Sequence, residues 1–327
     1  MPRVLITPPM LIRRDGPHAD ILRGAGFELV FPPQHMPIMD KPTLVETLRD
    51  VDAMLASTDP LTRDVLAGST LRVVARQGVG YDSVDVAAAT DLGIVVTTTP
   101  GVLEECVAEH TIAMMLCVTR DLLRRDREVR QGAWTRKSFP RMAGKTLGIV
   151  GLGRIGRAVV PRAQGLGMRV IAHDPYPDEA FAKEHAVELC SLDDLLSTAD
   201  VVTIHSPSTP ETADLINART LARMKQGAVL VNTSRGGLVD EDAVCEALRS
   251  GRLLGAALDV FKQEPLPTNS PLLQLDNLLV CTHMGGLDED SVRDGSMLAA
   301  QCIVDCYNGN LPEQCVVNKS LIDSWSW

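Results

Sequence analysis

Three glycines and an aspartate are the first residues here whose types and spacing point to chemistry. In LGIVGLGRIGRAVV, Gly151, Gly153 and Gly156 follow an apolar, strand-like run and open a helix-like one. In such a G-x-G-x-x-G pattern the first glycine allows a tight turn and the second lets backbone approach a pyrophosphate. The third lets helix pack on strand, and helix N–H groups face the anion. Asp174 ends the run MRVIAH, where an acid can accept hydrogen bonds from ribose hydroxyls and repel a 2'-phosphate. Pro175 follows it and no arginine stands close behind, so NAD is expected over NADP. An isolated aspartate would suit a loop cap equally well; the glycines give Asp174 its cofactor reading.

A nicotinamide cofactor brings a hydride, which leaves the protein to hold a substrate carboxylate, polarise an oxygen and relay one proton. Arg235, in VLVNTSRGGLVDEDAV, stands just past a strand-like run, and its planar fork can engage carboxylate and carbonyl oxygens together. His283 follows the apolar run Leu278 to Cys281 and precedes Gly285-Gly286; its imidazole can give and take a proton near neutrality. Glu264, in DVFKQEPLP, would orient that ring and favour its charged form. Taken singly, each also suits a structural role, such as an ion pair of Arg235 with Asp240 or Glu241. His18, His35, His110, His173, His185 and His205 lack the same combination of setting and partner.

Such residues need strand ends to carry them. Short apolar runs at Val4 to Ile6, Glu28 to Phe31, Ala53 to Leu55, Leu71 to Ala75 and Ile94 to Val96 alternate with helix-compatible stretches, which implies a parallel α/β sheet. The rhythm breaks at Thr99-Pro100-Gly101, and Glu104 to Arg120 reads as one long helix. A second alternation begins at Lys145, with strands at Thr146 to Val150, Arg169 to Ala172, Val201 to Ile204, Val229 to Asn232 and Leu254 to Leu258. Helices are expected from Ile155, over Glu241 to Ser250, and over Asp288 to Asn308, before an extended tail through Val316 and Val317. The expected fold class is α/β with two doubly wound parallel-sheet domains: a flavodoxin-like substrate domain, residues 1–100 with 285–327, and an inserted Rossmann NAD-binding domain, residues 101–284.

Composition excludes other classes. The 327 residues exceed the usual single core, and 45% apolar with 23% charged residues describes an ordinary globular protein. A net charge of -10 with 3% aromatics argues against a nucleic-acid partner. No run is long enough for a membrane span and the N-terminus does not read as a signal peptide, so a cytoplasmic location is expected. The eight cysteines show no CxxC pair or zinc-like spacing, and no metal is expected.

VGLGRIG, HDPY, VNTSRGGLVDEDAV, ALDVFKQEPLP and THMGG, in this order, resemble the D-isomer-specific 2-hydroxyacid dehydrogenase family, most closely its phosphoglycerate dehydrogenase-like branch, over nearly the whole chain. The resemblance implies NAD-dependent interconversion of a D-2-hydroxy acid and its 2-oxo acid. In that reading Arg235 binds substrate, His283 is the general acid/base, Glu264 pairs with it, and N–H groups near Val79 and Gly80 hold the carboxylate. It further implies NAD contacts from Arg154, Ile155, Asp174, His205, Pro207, Thr233 and Asp259, the last near the carboxamide, and places Thr111 near the nicotinamide. Arg76 and Arg136 match two arginines that gather a distal phosphate in such relatives, whereas Ala56 stands in place of a third. A short acid with a second polar or anionic group is therefore expected, with 3-phosphoglycerate one candidate. Thr282 replaces the family's usual proline, and GGLDED replaces its commoner loop. A homodimer using the helix Glu104 to Arg120 is also expected. The same fold serves NAD-sensing corepressors and formate dehydrogenase; the latter pairs its histidine with glutamine, and Glu264 argues against it.

Overall fold

The computed structural model describes residues 1–34, 36 and 39–327; His35, among the histidines considered above, lies outside the described residues. The chain divides into two compact units, residues 1–103 with 287–327 and residues 104–286.

The first unit begins with β1 (Arg3–Ile6), α1 (Pro17–Gly24), β2 (Glu28–Val30), α2 (Lys41–Thr47) and β3 (Ala53–Ala56). It continues with α3 (Arg63–Ala67), β4 (Val73–Arg76), α4 (Val86–Asp91) and β5 (Val95–Thr97). Its five strands are all parallel in the order β2-β1-β3-β4-β5, the flavodoxin-like arrangement. Apart from Arg3, Arg76 and Thr97, β1, β3, β4 and β5 consist of Val, Leu, Ile, Ala and Met because side chains on both faces must be buried. Val4 and Ile6 enter the apolar layer shared with α1, whereas Leu5 enters the opposite layer with α2, α3 and α4. Asp40 and Asp85 cap α2 and α4, each accepting an N–H of the first turn.

The second unit opens with α5 (Glu104–Thr119) and α6 (Leu122–Arg130), then β6 (Thr146–Val150), α7 (Arg154–Gly165), β7 (Arg169–His173), α8 (Glu179–Glu184), β8 (Glu188–Leu189), α9 (Leu192–Thr198) and β9 (Val201–Ile204). α10 (Ala218–Arg223), β10 (Ala228–Asn232), α11 (Glu241–Arg249), β11 (Leu253–Leu258) and β12 (Leu278–Val280) complete it. Its seven parallel strands run β12-β11-β10-β9-β6-β7-β8, the Rossmann order extended by one strand. α5, α7 and α8 cover one face, and α9, α10 and α11 the other. α12 (Glu289–Tyr307) then returns to the first unit and packs beside α1. Among the described residues, no helix is long and apolar enough to cross a membrane.

Most expected bounds shift by a residue or two, and the following sequence expectations need correction. The helix after the glycine loop starts at Arg154 rather than Ile155, because Gly153 already serves as its cap. The long helix ends at Thr119, and Asp121 turns the chain with φ 51 into α6, whose charged sequence gave no apolar signal. The tail is not simply extended: Val316 bridges Thr97 antiparallel, and Lys319–Leu321 then forms a 3-10 turn. Asn318, 5% exposed, holds that junction. Its Oδ1 accepts the Val96 N–H at 2.9 Å and its Nδ2 donates to the Ile94 carbonyl at 2.8 Å, so the side chain completes the edge of β5.

Asn318→Ala leaves a buried donor and acceptor without partners, and the expected loss of stability is roughly 2 to 4 kcal/mol. Urea unfolding measures it; a loss under about 0.5 kcal/mol would show that water takes over both bonds.

Candidate active site

The glycine loop follows β6. A Cβ on Gly151 would lie 2.7 Å from the backbone of His205, and one on Gly156 would lie 2.2 Å from the carbonyl of Gly151. Both positions are closed by backbone. At Gly153 a Cβ would meet nothing within 4 Å, so bare backbone faces open space at the N-terminus of α7. That is the shape a pyrophosphate needs, with unsatisfied helix N–H groups to receive it. Asp174, past the end of β7, accepts the Leu152 N–H on one oxygen and the Tyr176 N–H on the other, each at 2.8 Å. The carboxylate thus braces the loop, and each oxygen keeps a lone pair for a ribose hydroxyl. Arg154 is exposed, 3.6 Å from Glu104, and Ile155 sits half-buried in the first turn of α7.

His205, after β9, has Nε2 3.0 Å from the Thr203 hydroxyl and a buried Nδ1 with no hydrogen-bond partner among the described residues. Burial without a countercharge lowers its pKa to about 3, so the ring is neutral. Pro207 is exposed and its carbonyl accepts the Thr212 hydroxyl. Thr111 on α5 and Thr233 after β10 are buried and share a hydroxyl hydrogen bond of 2.8 Å.

The residues with acid–base character gather at the carboxyl ends of β10, β11 and β12. Asp259, 1% exposed, directly follows β11. Its carbonyl accepts the His283 N–H at 2.8 Å, and its carboxylate accepts the N–H groups of Met284 at 2.9 Å and Gly285 at 2.8 Å. Three consecutive N–H groups therefore end on one residue and fix the turn, in which His283 adopts a positive φ of 55. The His283 Nδ1 lies 2.7 Å from Glu264 Oε2. A carboxylate can only accept, so Nδ1 carries the proton and Nε2 is left for exchange.

Burial pushes the Glu264 carboxyl up, but the hydrogen bond from His283, its charge, the Phe261 N–H and the Arg235 guanidinium together hold it below the ordinary carboxylate value. Glu264 Oε1 accepts the Phe261 N–H at 2.9 Å, which fixes the second oxygen. Gly236 explains how Arg235 comes near: a Cβ there would lie 1.9 Å from the Phe261 carbonyl carbon, so only glycine lets the turn after β10 back onto this loop. Asn232 pins that turn through the Arg235 carbonyl and the Ser234 N–H.

Sequence reasoning passed over His110. It lies on α5 with Nε2 3.5 Å from Asp259 Oδ1. The Asp259 carboxylate and the nearby Cys281 outweigh burial and raise its pKa to about 9. Burial pushes the Asp259 carboxyl up, while His110 and the two N–H donors prevail and leave it lowered. Only the three-dimensional meeting of α5 with the ends of β11 and β12 could reveal this pair.

The remaining expected substrate residues belong to other segments of the chain. In the first unit, Arg76 ends β4, is 5% exposed and donates Nε to the Gly80 carbonyl at 3.1 Å. Val79 and Gly80 are half-buried in the following loop, which the Thr99 hydroxyl holds through the Gly78 N–H. Arg136, in the second unit, is exposed in an irregular segment.

The family profile described as D-isomer specific 2-hydroxyacid dehydrogenase, NAD binding domain, matches residues 112–285. The chain is 41% identical over 290 residues to a glyoxylate reductase of Korarchaeum cryptofilum, spanning 86% of this chain and 87% of that protein. It is 40% identical over 283 residues to a D-3-phosphoglycerate dehydrogenase of Methanocaldococcus jannaschii, spanning 85% of this chain but 54% of that one, about half its length. Among solved structures, a D-lactate dehydrogenase from Aquifex aeolicus complexed with NAD and lactic acid matches with TM-score 0.84 at 27% identity, over 96% of this chain and 98% of that one.

The neutral His205 gives a pH prediction. Its folded pKa lies below its unfolded value, so the unfolded chain takes up the extra proton as pH falls from 6.5 towards about 3, and stability drops in that window. His205→Gln is expected to lose less stability than the parent there and to run parallel with it above neutrality. Equal slopes in urea titrations would contradict the buried neutral ring.

Proposed function

The chain belongs to the D-isomer-specific 2-hydroxyacid dehydrogenase family, and from that premise we propose that it is an enzyme interconverting a small D-2-hydroxy acid and its 2-oxo acid. The observation that carries this reading is the 2.7 Å contact of Glu264 with His283 beside Arg235, at the carboxyl ends of parallel strands. NAD, held at the glycine loop and Asp174, supplies the hydride acceptor or donor at C2. In the direction of reduction His283 delivers its Nε2 proton to the C2 oxygen, and in oxidation it takes that proton back. Glu264, accepting from Nδ1, keeps the ring oriented. The fork of Arg235 holds the carboxylate and C2 oxygen in one plane, and the N–H groups of Val79 and Gly80 receive the carboxylate. Asp259 would accept a hydrogen bond from the carboxamide N–H of bound NAD, and Thr111 and Thr233 would stand near its nicotinamide.

For the substrate we favour a short 2-oxo acid without a phosphate, such as glyoxylate or hydroxypyruvate. Ala56 offers no charge, and Arg76 is buried with its Nε on the Gly80 carbonyl. A reducing compartment, the cytoplasm, fits eight free thiols. A homodimer also belongs to this reading, with a different basis than expected. The apolar side chains of α5, among them Met114 and Met115, are spent on the core of their own unit. Leu122, Leu123 and Val129 on α6, with Trp134, instead remain exposed and suit a second copy. Light scattering at the mass of a monomer would remove the dimer.

His283→Ala is expected to lower kcat by about 100-fold to 10,000-fold while NADH affinity stays within about twofold, because the imidazole serves the substrate and not the cofactor. A loss below roughly tenfold would end its role as acid/base. Comparison of kcat/KM for glyoxylate, hydroxypyruvate, pyruvate and phosphohydroxypyruvate is expected to place the phosphorylated acid below hydroxypyruvate. The reverse order, abolished by Arg136→Ala, would restore the distal phosphate.

A further inference from the structure

We propose that His110, Asp259 and Cys281 form a binding site for a soft divalent cation, zinc or a close analogue, and that the cation competes with the cofactor. The three donors come from distant segments, which is why spacing along the sequence gave no sign of a metal. β11 and β12 are parallel neighbours with Leu258 opposite Val280, so Asp259 and Cys281, one residue beyond each, stand side by side at the same edge of the sheet. α5 crosses these strands and brings His110 over them. An imidazole nitrogen, a carboxylate oxygen and a thiol sulfur then lie within 4.8 Å of one another.

The donor chemistry selects the ion. Imidazole with thiolate suits zinc and cobalt over magnesium or calcium, which prefer all-oxygen sets. Three protein ligands leave the fourth tetrahedral position to water. Zinc holds such ligands at about 2.0–2.3 Å, which puts them roughly 3.5 Å apart, so the donors need to close by about an ångström, within the reach of side-chain torsions. His110 and Cys281 are half-buried and have room to make that movement.

The surroundings are already built. The Asp259 carboxylate is fixed by the N–H groups of Met284 and Gly285, the kind of outer support that orients a metal ligand. His110 Nε2 is buried and, among the described residues, has no hydrogen bond of good geometry, the Asp259 carboxylate oxygen being 3.5 Å away. Gly285 keeps the space beside both donors open, since a Cβ there would lie 3.1 Å from Asp259 Oδ2 and 3.5 Å from His110 Cδ2. On binding, the cation takes the place of the Nε2 proton of His110 and of the thiol proton of Cys281, and both protons leave to solvent. Competition with the cofactor rests on the proposed contact of Asp259 with the nicotinamide carboxamide, because one carboxylate would serve both ligands.

The test is titration of the reduced, cofactor-free protein with Co2+. The expected result is one equivalent bound, with the visible bands of a tetrahedral ion and a thiolate-to-cobalt charge-transfer band, and displacement of both by NADH. Cys281→Ser is expected to abolish the charge-transfer band and weaken binding at least about tenfold. His110→Gln is expected to weaken binding similarly and carries the test if the serine variant fails to fold, which circular dichroism reports. Absence of binding below about 1 mM, or a charge-transfer band unchanged in Cys281→Ser, would overturn the site. Cobalt and NADH bound together would overturn the competition and, with it, the carboxamide role of Asp259, while the Cys281-dependent band would leave the cation site standing.

Discussion

Asp259 is the residue on which the rest of the site depends. A buried carboxylate costs free energy unless its oxygens are paired, and here two backbone N–H groups and His110 meet that cost. The same bonds, with the His283 N–H on the Asp259 carbonyl, fix a turn that a histidine would not adopt by preference, with φ of 55. The imidazole is thereby aimed before any ligand arrives. Glu264 adds the second constraint by holding Nδ1, which leaves one nitrogen available.

Preorganisation of this kind belongs to the fold. Parallel strands end together, and the loops at their carboxyl ends can be brought close only if backbone packs on backbone. Gly236 on Phe261, Gly151 on His205 and Gly156 on Gly151 are places where this chain uses the absence of a Cβ for that purpose. The glycine loop and the histidine turn occupy the same edge of the seven-stranded sheet, one after β6 and the other after β12, with β9, β10 and β11 between them. A dinucleotide is long enough to span such a distance along a sheet edge.

Much of this was legible in the sequence because burial on both faces writes strands as continuous Val, Ile, Leu and Ala runs. β1, β3, β6 and β9 could be placed within a residue or so on that signal. The glycine loop was legible because its spacing has a geometric cause. What escaped has equally physical reasons. β8 is two exposed residues, Glu188–Leu189, and edge pairing leaves no apolar trace in so short a strand. α6 is held by ion pairs such as Arg125 with Asp121 and Glu128, which carry no periodic apolar signal. Asn318 closes the edge of β5 from more than two hundred residues away. His110 looked ordinary on its helix, since its significance comes from a carboxylate and a thiol that only folding places beside it.

The most direct test of the account is the fate of the hydrogen delivered to C2. Reduction of hydroxypyruvate with NADH deuterated at nicotinamide C4 is expected to give the D-2-hydroxy acid with deuterium on C2 and no solvent hydrogen there. An L or racemic product, or C2 hydrogen drawn from water, would contradict direct transfer onto a substrate held by Arg235 and His283.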